Sequence, residues 1–140
     1  MSGTILLVED NPDDAELTRL ALARLKKQDT RVVHLTDGAQ ALDYLSDEAR
    51  AAQVRFVILD MKLPKVDGLQ VLTKLKSDAR TRPIPVVILS SSNRESEIAQ
   101  CFDSGANSYV VKPVALEDYL DKVSALGRYW DDINRPLSAR

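Results

Sequence analysis

Four short apolar runs punctuate the chain: Ile5-Leu6-Leu7-Val8, Phe56-Val57-Ile58-Leu59, Val86-Val87-Ile88-Leu89 and Tyr109-Val110-Val111. None alternates polar with apolar residues. A strand with one face in water does alternate, because successive side chains point to opposite faces, so a strand that is apolar throughout needs cover on both. Helices on both faces of a parallel sheet supply that cover, and this requirement narrows the fold more than any other feature. A fifth run, Val32-Val33-His34-Leu35, has polar flanks and suits a sheet edge.

Helical patterns fill the intervals. Asn11-Pro12 opens the first, with Asn as N-cap and Pro at the first helical position, and Leu17, Leu20, Ala21 and Leu25 follow at helical spacing. The second begins near Asp37-Gly38 and holds Ala41, Leu42 and Leu45. The third opens at Gly68, with Leu69, Leu72 and Leu75 inward, and ends before Pro83 and Pro85. The fourth runs from about Glu95 to Ser104 and stops at Gly105, a good left-handed cap. The fifth starts near Ala115 and presents Leu116, Leu120, Val123 and Leu126 on one face. Five strands alternating with five helices predict an α/β fold. Right-handed crossovers and short loops then favour a doubly wound five-stranded parallel sheet in the flavodoxin-like order 2-1-3-4-5.

A chain of 140 residues holds one such domain. We assign it residues 1–130 and leave 131–140 as a C-terminal tail. The net charge of −2 and pI near 5.4 give no basic footprint for nucleic acid. No apolar run approaches the roughly 18 residues of a membrane span. Met1 to Val8 lacks the basic start and cleavage site of a signal peptide. The single Cys101 cannot form an internal disulfide and reads as a small buried hydrophobe; the expected location is the cytoplasm.

Ligands of an open parallel sheet bind beyond the C-terminal strand ends, where the strand order reverses. Strands 1 and 3 flank that point. Strand 1 ends in Glu9-Asp10 and strand 3 in Asp60, so three carboxylates converge. Like charges that close repel unless a cation sits among them, and a hard divalent ion such as Mg²⁺ answers that need. Strand 4 ends in Ser90, whose hydroxyl donates and accepts, and strand 5 in Lys112, a point charge on a long stem. Each feature alone has a structural reading. The acidic pair suits a helix N-terminus, Ser90-Ser91-Ser92 a polar loop, and Lys112 a structural ion pair. Five in order at successive strand ends are far more specific. His34, the only histidine, is expected to be structural and away from the crevice.

These segments resemble the bacterial response-regulator receiver family over nearly the whole chain. The matching blocks are Ile5 to Asn11, Val57 to Gly68, Val87 to Ser90, and Tyr109-Val110-Val111-Lys112-Pro113. The resemblance implies that Asp60 accepts a phosphoryl group from a sensor histidine kinase, as a phosphoacceptor catalysing its own phosphorylation and dephosphorylation rather than as an enzyme. Asp10, Asp60 and the backbone carbonyl of Lys62 would hold Mg²⁺, with Glu9 acting through water. Ser90 and Lys112 would bind phosphoryl oxygens, Ser90 and Tyr109 would switch, and the Lys112–Pro113 bond is expected to be cis. The output would be the face of the fourth helix, fifth strand and fifth helix. Positions 62 and 92, here Lys62 and Ser92, influence the lifetime of the phosphorylated state in the family.

Glu9-Asp10-Asn11-Pro12-Asp13-Asp14, Leu63-Pro64-Lys65 and the ending Arg128-Tyr129-Trp130 to Pro136-Leu137 look like small response regulators paired with bacterial phytochromes. In those, the end of the fifth helix and the tail join a homodimer interface; the alternative is that Trp130 folds back on its own subunit. Two rival functions remain. An aspartate-nucleophile phosphatase would carry an Asp-x-Asp pair after strand 1, where this chain has Glu9-Asp10-Asn11. A pseudo-receiver that only binds partners would have lost the acidic pair, Asp60 or Lys112.

Overall fold

The computed structural model describes residues 3–25 and 30–136. Five parallel strands form one sheet in the order β2-β1-β3-β4-β5, from β1 (Gly3–Val8), β2 (Thr30–Leu35), β3 (Val54–Leu59), β4 (Val86–Ser90) and β5 (Ser108–Val111). Between them run α1 (Pro12–Leu22), α2 (Gly38–Ser46), α3 (Glu48–Gln53), α4 (Gly68–Ser77), α5 (Glu95–Asp103) and α6 (Leu116–Arg128). A π-helical turn, Tyr129–Ile133, follows. The α/β architecture and strand order are those the apolar runs predict.

The non-alternating runs divide cleanly between two cores. Leu6, Val8, Val57, Leu59, Val86 and Ile88 face α2, α4 and α5, while Ile5, Leu7, Phe56, Ile58, Val87 and Leu89 face α1 and α6. Odd and even positions thus serve opposite faces, as strand geometry demands. The edge strands β2 and β5 are only half-buried, which is why β2 reads as the polar-flanked run.

Caps fix the helix starts. Asn11 Oδ1 accepts from the amides of Asp13 and Asp14, and Asp37 from Gln40. At α4, Asp67 accepts from Gln70 while the Gln70 side chain accepts from the Asp67 amide. The short α3 escaped the sequence reading because six residues carry too little periodicity. Its one signal is Asp47, whose carboxylate caps Ala49 and Arg50. The described residues therefore hold six α-helices rather than five.

Two inward assignments need correction. Leu20 is 52% exposed, because α1 turns Ala15, Thr18, Ala21 and Leu22 to the core. Leu116 is likewise exposed, because Tyr119, Val123 and Leu126 form the buried face of α6. Tyr119 can go inside because its hydroxyl finds Thr18 Oγ1 at 2.9 Å. There is also no cis peptide among the described residues; Lys112–Pro113 adopts the trans form that X–Pro bonds intrinsically favour.

The C-terminal segment lies against its own subunit. Trp130 packs on the α1–α6 core and meets Tyr129 edge to face. Asp131 is buried, 3.3 Å from Arg55 Nε on β3 and within reach of Thr30 Oγ1 on β2. Tyr129 and Ile133 stay exposed, and Leu137 lies outside the described residues.

The loop from β3 to α4 is held tightly. The Gly68 amide donates to the Met61 carbonyl at 3.0 Å, and Lys65 takes a left-handed φ of 68°. A Cβ on Gly68 would sit 2.3 Å from the Asp60 carbonyl oxygen and 2.6 Å from Met61 Cα, both backbone atoms with nowhere to go. Gly68→Ala should therefore cost about 2 kcal/mol, read as a lower urea midpoint with an unchanged slope. An unshifted midpoint would show that the loop is looser than its contacts imply.

Candidate functional site

Glu9, Asp60 and Lys112 sit one step past the ends of β1, β3 and β5, and sheet hydrogen bonds still hold them there. The Glu9 amide donates to the Leu35 carbonyl at 3.0 Å, Asp60 to Val8 at 3.0 Å and Lys112 to Ser90 at 2.7 Å. Neighbouring strands thus set the height of every group at the crevice floor. Glu9 and Asp60 are buried, Asp10 is exposed at the rim, and Ser90 is buried at the end of β4.

Lys112 is the centre of the arrangement. Its Nζ lies 2.7 Å from Glu9 Oε1, 2.8 Å from Asp14 Oδ2 and 3.3 Å from Asp60 Oδ2. Burial alone would lower its pKa, but the hydrogen bonds with Asp14 and Glu9 and the charges of Asp60 and Glu9 outweigh that and raise it. Glu9 responds the other way. Burial first, then its hydrogen bond with Asp60, push it up to about 7 against the pull of Lys112. One ammonium does not neutralise this many carboxylates.

Glu9, Asp10 and Asp60 each offer one carboxylate oxygen, and these atoms lie within 4.8 Å of one another. Hard oxygen donors with excess negative charge fit a small divalent cation such as Mg²⁺. The Lys62 amide stands at the limit of hydrogen bonding from Asp60 Oδ1, at 3.5 Å. Ser90 shares a groove with Met61, Lys62 and Ser92, and its Oγ accepts from the Ser92 amide at 3.2 Å. Tyr109 stands farther out on β5, half-buried, with its hydroxyl donating to the Ser92 carbonyl at 2.9 Å. Ser92 Oγ in turn donates to Glu97 on α5. Ser92 therefore joins Ser90, Tyr109 and α5.

Two residues escaped the sequence reading. Asp14 belongs to the ion cluster, although in sequence it is one of several acids beginning α1. Its position in the first turn, where it reaches Lys112 beyond β5, is visible only once α1 packs against α6. His34 is not remote from the crevice, because its Nε2 lies 2.8 Å from the Glu9 carbonyl oxygen. It buttresses the acidic pair from the edge strand.

Residues 5–124 match the family described as response regulator receiver domain. The chain belongs to that family. Receiver domains of two-component systems take phosphoryl groups from histidine kinases, and this one is related to phytochrome response regulators. The phosphorylated cyanobacterial phytochrome response regulator RcpA superposes with a TM-score of 0.91 at 35% identity, covering 99% of this chain and 100% of that one. The Mn²⁺-bound form of response regulator Rcp1 gives 0.88 at 29% identity, covering 97% and 99%. Rcp1 of Synechocystis sp. is 30% identical over 90% of this chain and 87% of its own length. The probable methanogenesis regulatory protein FilR2 of Methanothrix harundinacea is 41% identical over 133 residues, 94% of this chain and 85% of that protein. Several other curated relatives are about twice as long as the region they share with this receiver. No helix among the described residues is long and apolar enough to cross a membrane.

The state of Glu9 makes a pH prediction. A carboxyl raised from 4.5 to about 7 on folding binds its proton more tightly in the native state, so the metal-free protein loses stability from this group as pH rises from 4.5 to 7. Glu9→Gln removes that proton. Without divalent metal, the melting temperature of wild type relative to Glu9→Gln should fall between pH 5 and pH 8. A constant or rising difference would mean that Lys112 keeps Glu9 ionised throughout.

Proposed function

We propose that Asp60 is the phosphoacceptor of this receiver domain, taking a phosphoryl group from the phosphohistidine of a sensor histidine kinase. The observation that carries this is the position of Asp60 between Lys112 and the oxygen cluster it forms with Glu9 and Asp10. An Asp60 carboxylate oxygen attacks phosphorus, the P–N bond breaks, and its electron pair returns to the imidazole of the kinase. The product is a mixed anhydride on Asp60. Lys112 offsets negative charge on the transferring group, and Ser90 donates to one of its oxygens. Asp10, Asp60 and the Lys62 carbonyl would hold Mg²⁺, with Glu9 acting through water, and the ion would supply charge neutralisation for phosphoryl transfer.

The product repositions Ser90, and through Ser92 the change reaches Tyr109 and α5. The face of α5, β5 and α6 is then the output surface. It exposes Phe102, Val114 and Leu116, which suits a homodimer or a downstream partner. The relation to phytochrome response regulators supports a phytochrome as the kinase and the cytoplasm as the location. Residues 1–130 are proposed as the receiver and 131–140 as its tail, with Trp130 and Asp131 clasping the two together.

Incubation with acetyl phosphate and Mg²⁺ should add one phosphoryl group per chain, seen by intact mass. Asp60→Asn should abolish it while melting at or above the wild-type temperature, because one of the repelling carboxylates is gone. A variant labelled at the wild-type rate would place the acceptor elsewhere. Mg²⁺ should also raise the melting temperature of the wild type, since only the folded chain assembles the ligands. Asp10→Ala should lose that rise; a full rise in the variant would contradict the ligand set.

A further inference from the structure

Asp14 stands apart from the other acids of the site. Its Oδ2 lies 2.8 Å from Lys112 Nζ, yet it is not one of the three carboxylates whose oxygens cluster for a cation. An ammonium has three donors, and Glu9, Asp14 and Asp60 occupy all of them. A phosphoryl oxygen can therefore gain Lys112 only by displacing one of these partners.

We propose that Asp14 is a positioning residue that holds Lys112 back from the acceptor, and so limits how readily the site takes up a phosphoryl group. This rests on the reading of Asp60 as phosphoacceptor. Asp14 is itself firmly placed. Its amide donates to Asn11 Oδ1 at 3.1 Å, and its carbonyl accepts from Thr18 Oγ1 at 2.8 Å and from the Tyr119 hydroxyl at 3.4 Å. The lysine stem is the part that moves. The exposure of the two carboxylates decides which partner lets go. The Asp14 side chain is 28% exposed and that of Glu9 only 2%, so water can take over at Asp14, whereas Glu9 Oε1 would be left buried without its donor. Asp14 is thus the exchangeable hold on the ammonium.

Removing its charge has two consequences of opposite sign. A freed Lys112 turns more readily to an incoming phosphoryl group. The same ammonium, no longer offset by Asp14, repels a cation held by Glu9, Asp10 and Asp60. A merely structural loss at position 14 would weaken both.

The test uses the whole chain as wild type, Asp14→Asn and Asp13→Asn. Asp13 is an exposed neighbour on the same turn, and Lys112 Nζ meets Glu9, Asp14 and Asp60 instead, so Asp13→Asn makes the same charge change without touching the hold. Labelling by acetyl phosphate is timed by intact mass at saturating Mg²⁺, and Mg²⁺ affinity is measured separately by titration calorimetry. Asp14→Asn should label roughly three- to tenfold faster and bind Mg²⁺ more weakly by a similar factor, the size expected for one partly exposed charged hydrogen bond. Asp13→Asn should match the wild type in both. Labelling of Asp14→Asn that is unchanged or slower, with the wild type labelled normally, overturns this role and leaves Asp60 as the acceptor. So does an equal acceleration in Asp13→Asn, or Mg²⁺ affinity that does not fall. A wild type that takes no label overturns the acceptor reading, and this inference with it.

Discussion

One ammonium shared among buried carboxylates is the interaction on which the site depends. Lys112 touches Glu9, Asp14 and Asp60 within 3.3 Å, and these come from three separate segments of the chain. Among largely buried groups such a cluster is stable only if its charges are offset, and a single lysine does not offset them all. The remaining negative charge makes the crevice receptive to a divalent cation, and burial, with Asp60 alongside, raises the Glu9 carboxyl to about 7. A divalent cation would offset these charges, whereas a phosphoryl group on Asp60 would add to them.

The sheet makes this cluster possible. Parallel strands end together on one side, and the amides of Glu9, Asp60 and Lys112 extend the ladder one residue beyond the apolar runs. The strand interiors are apolar on both faces, so water is excluded beneath the crevice. Above it, the loop from β3 to α4 is folded tightly against the backbone at Asp60 by Gly68. The other side of the crevice is a chain of hydrogen bonds. Ser90 connects through Ser92 to the Tyr109 hydroxyl and to Glu97, so a change at the end of β4 has a direct path to β5 and α5.

The sheet order and the strand-end residues were legible in the sequence because both follow from chain-local rules. Unbroken apolar runs mean strands covered on two faces, and a chemical residue after such a run must lie at the C-terminal ends of the strands. What depends on how elements pack together was not legible. Asp14 looks like a capping acid until α1 docks on α6, and His34 looks remote until β2 pairs with β1 and brings its ring under Glu9. Leu20 and Tyr119 show the same limit. Hydrophobicity favours Leu as the inward residue, but geometry buries Tyr119 because Thr18 satisfies its hydroxyl. Trp130 could equally have faced a second copy; the burial of Asp131 beside Arg55 draws it onto its own core.

The proposed chemistry of this crevice ends as an acyl phosphate on one carboxylate among several that are close together. Borohydride reduces an acyl phosphate to the alcohol, which converts a phosphorylated aspartate into homoserine and marks the acceptor permanently. Protein labelled with acetyl phosphate and Mg²⁺, reduced in this way and mapped by peptide mass spectrometry, should carry homoserine at position 60 and at no other carboxylate. Homoserine at position 10 or 14, or labelled protein that yields none, would contradict the account.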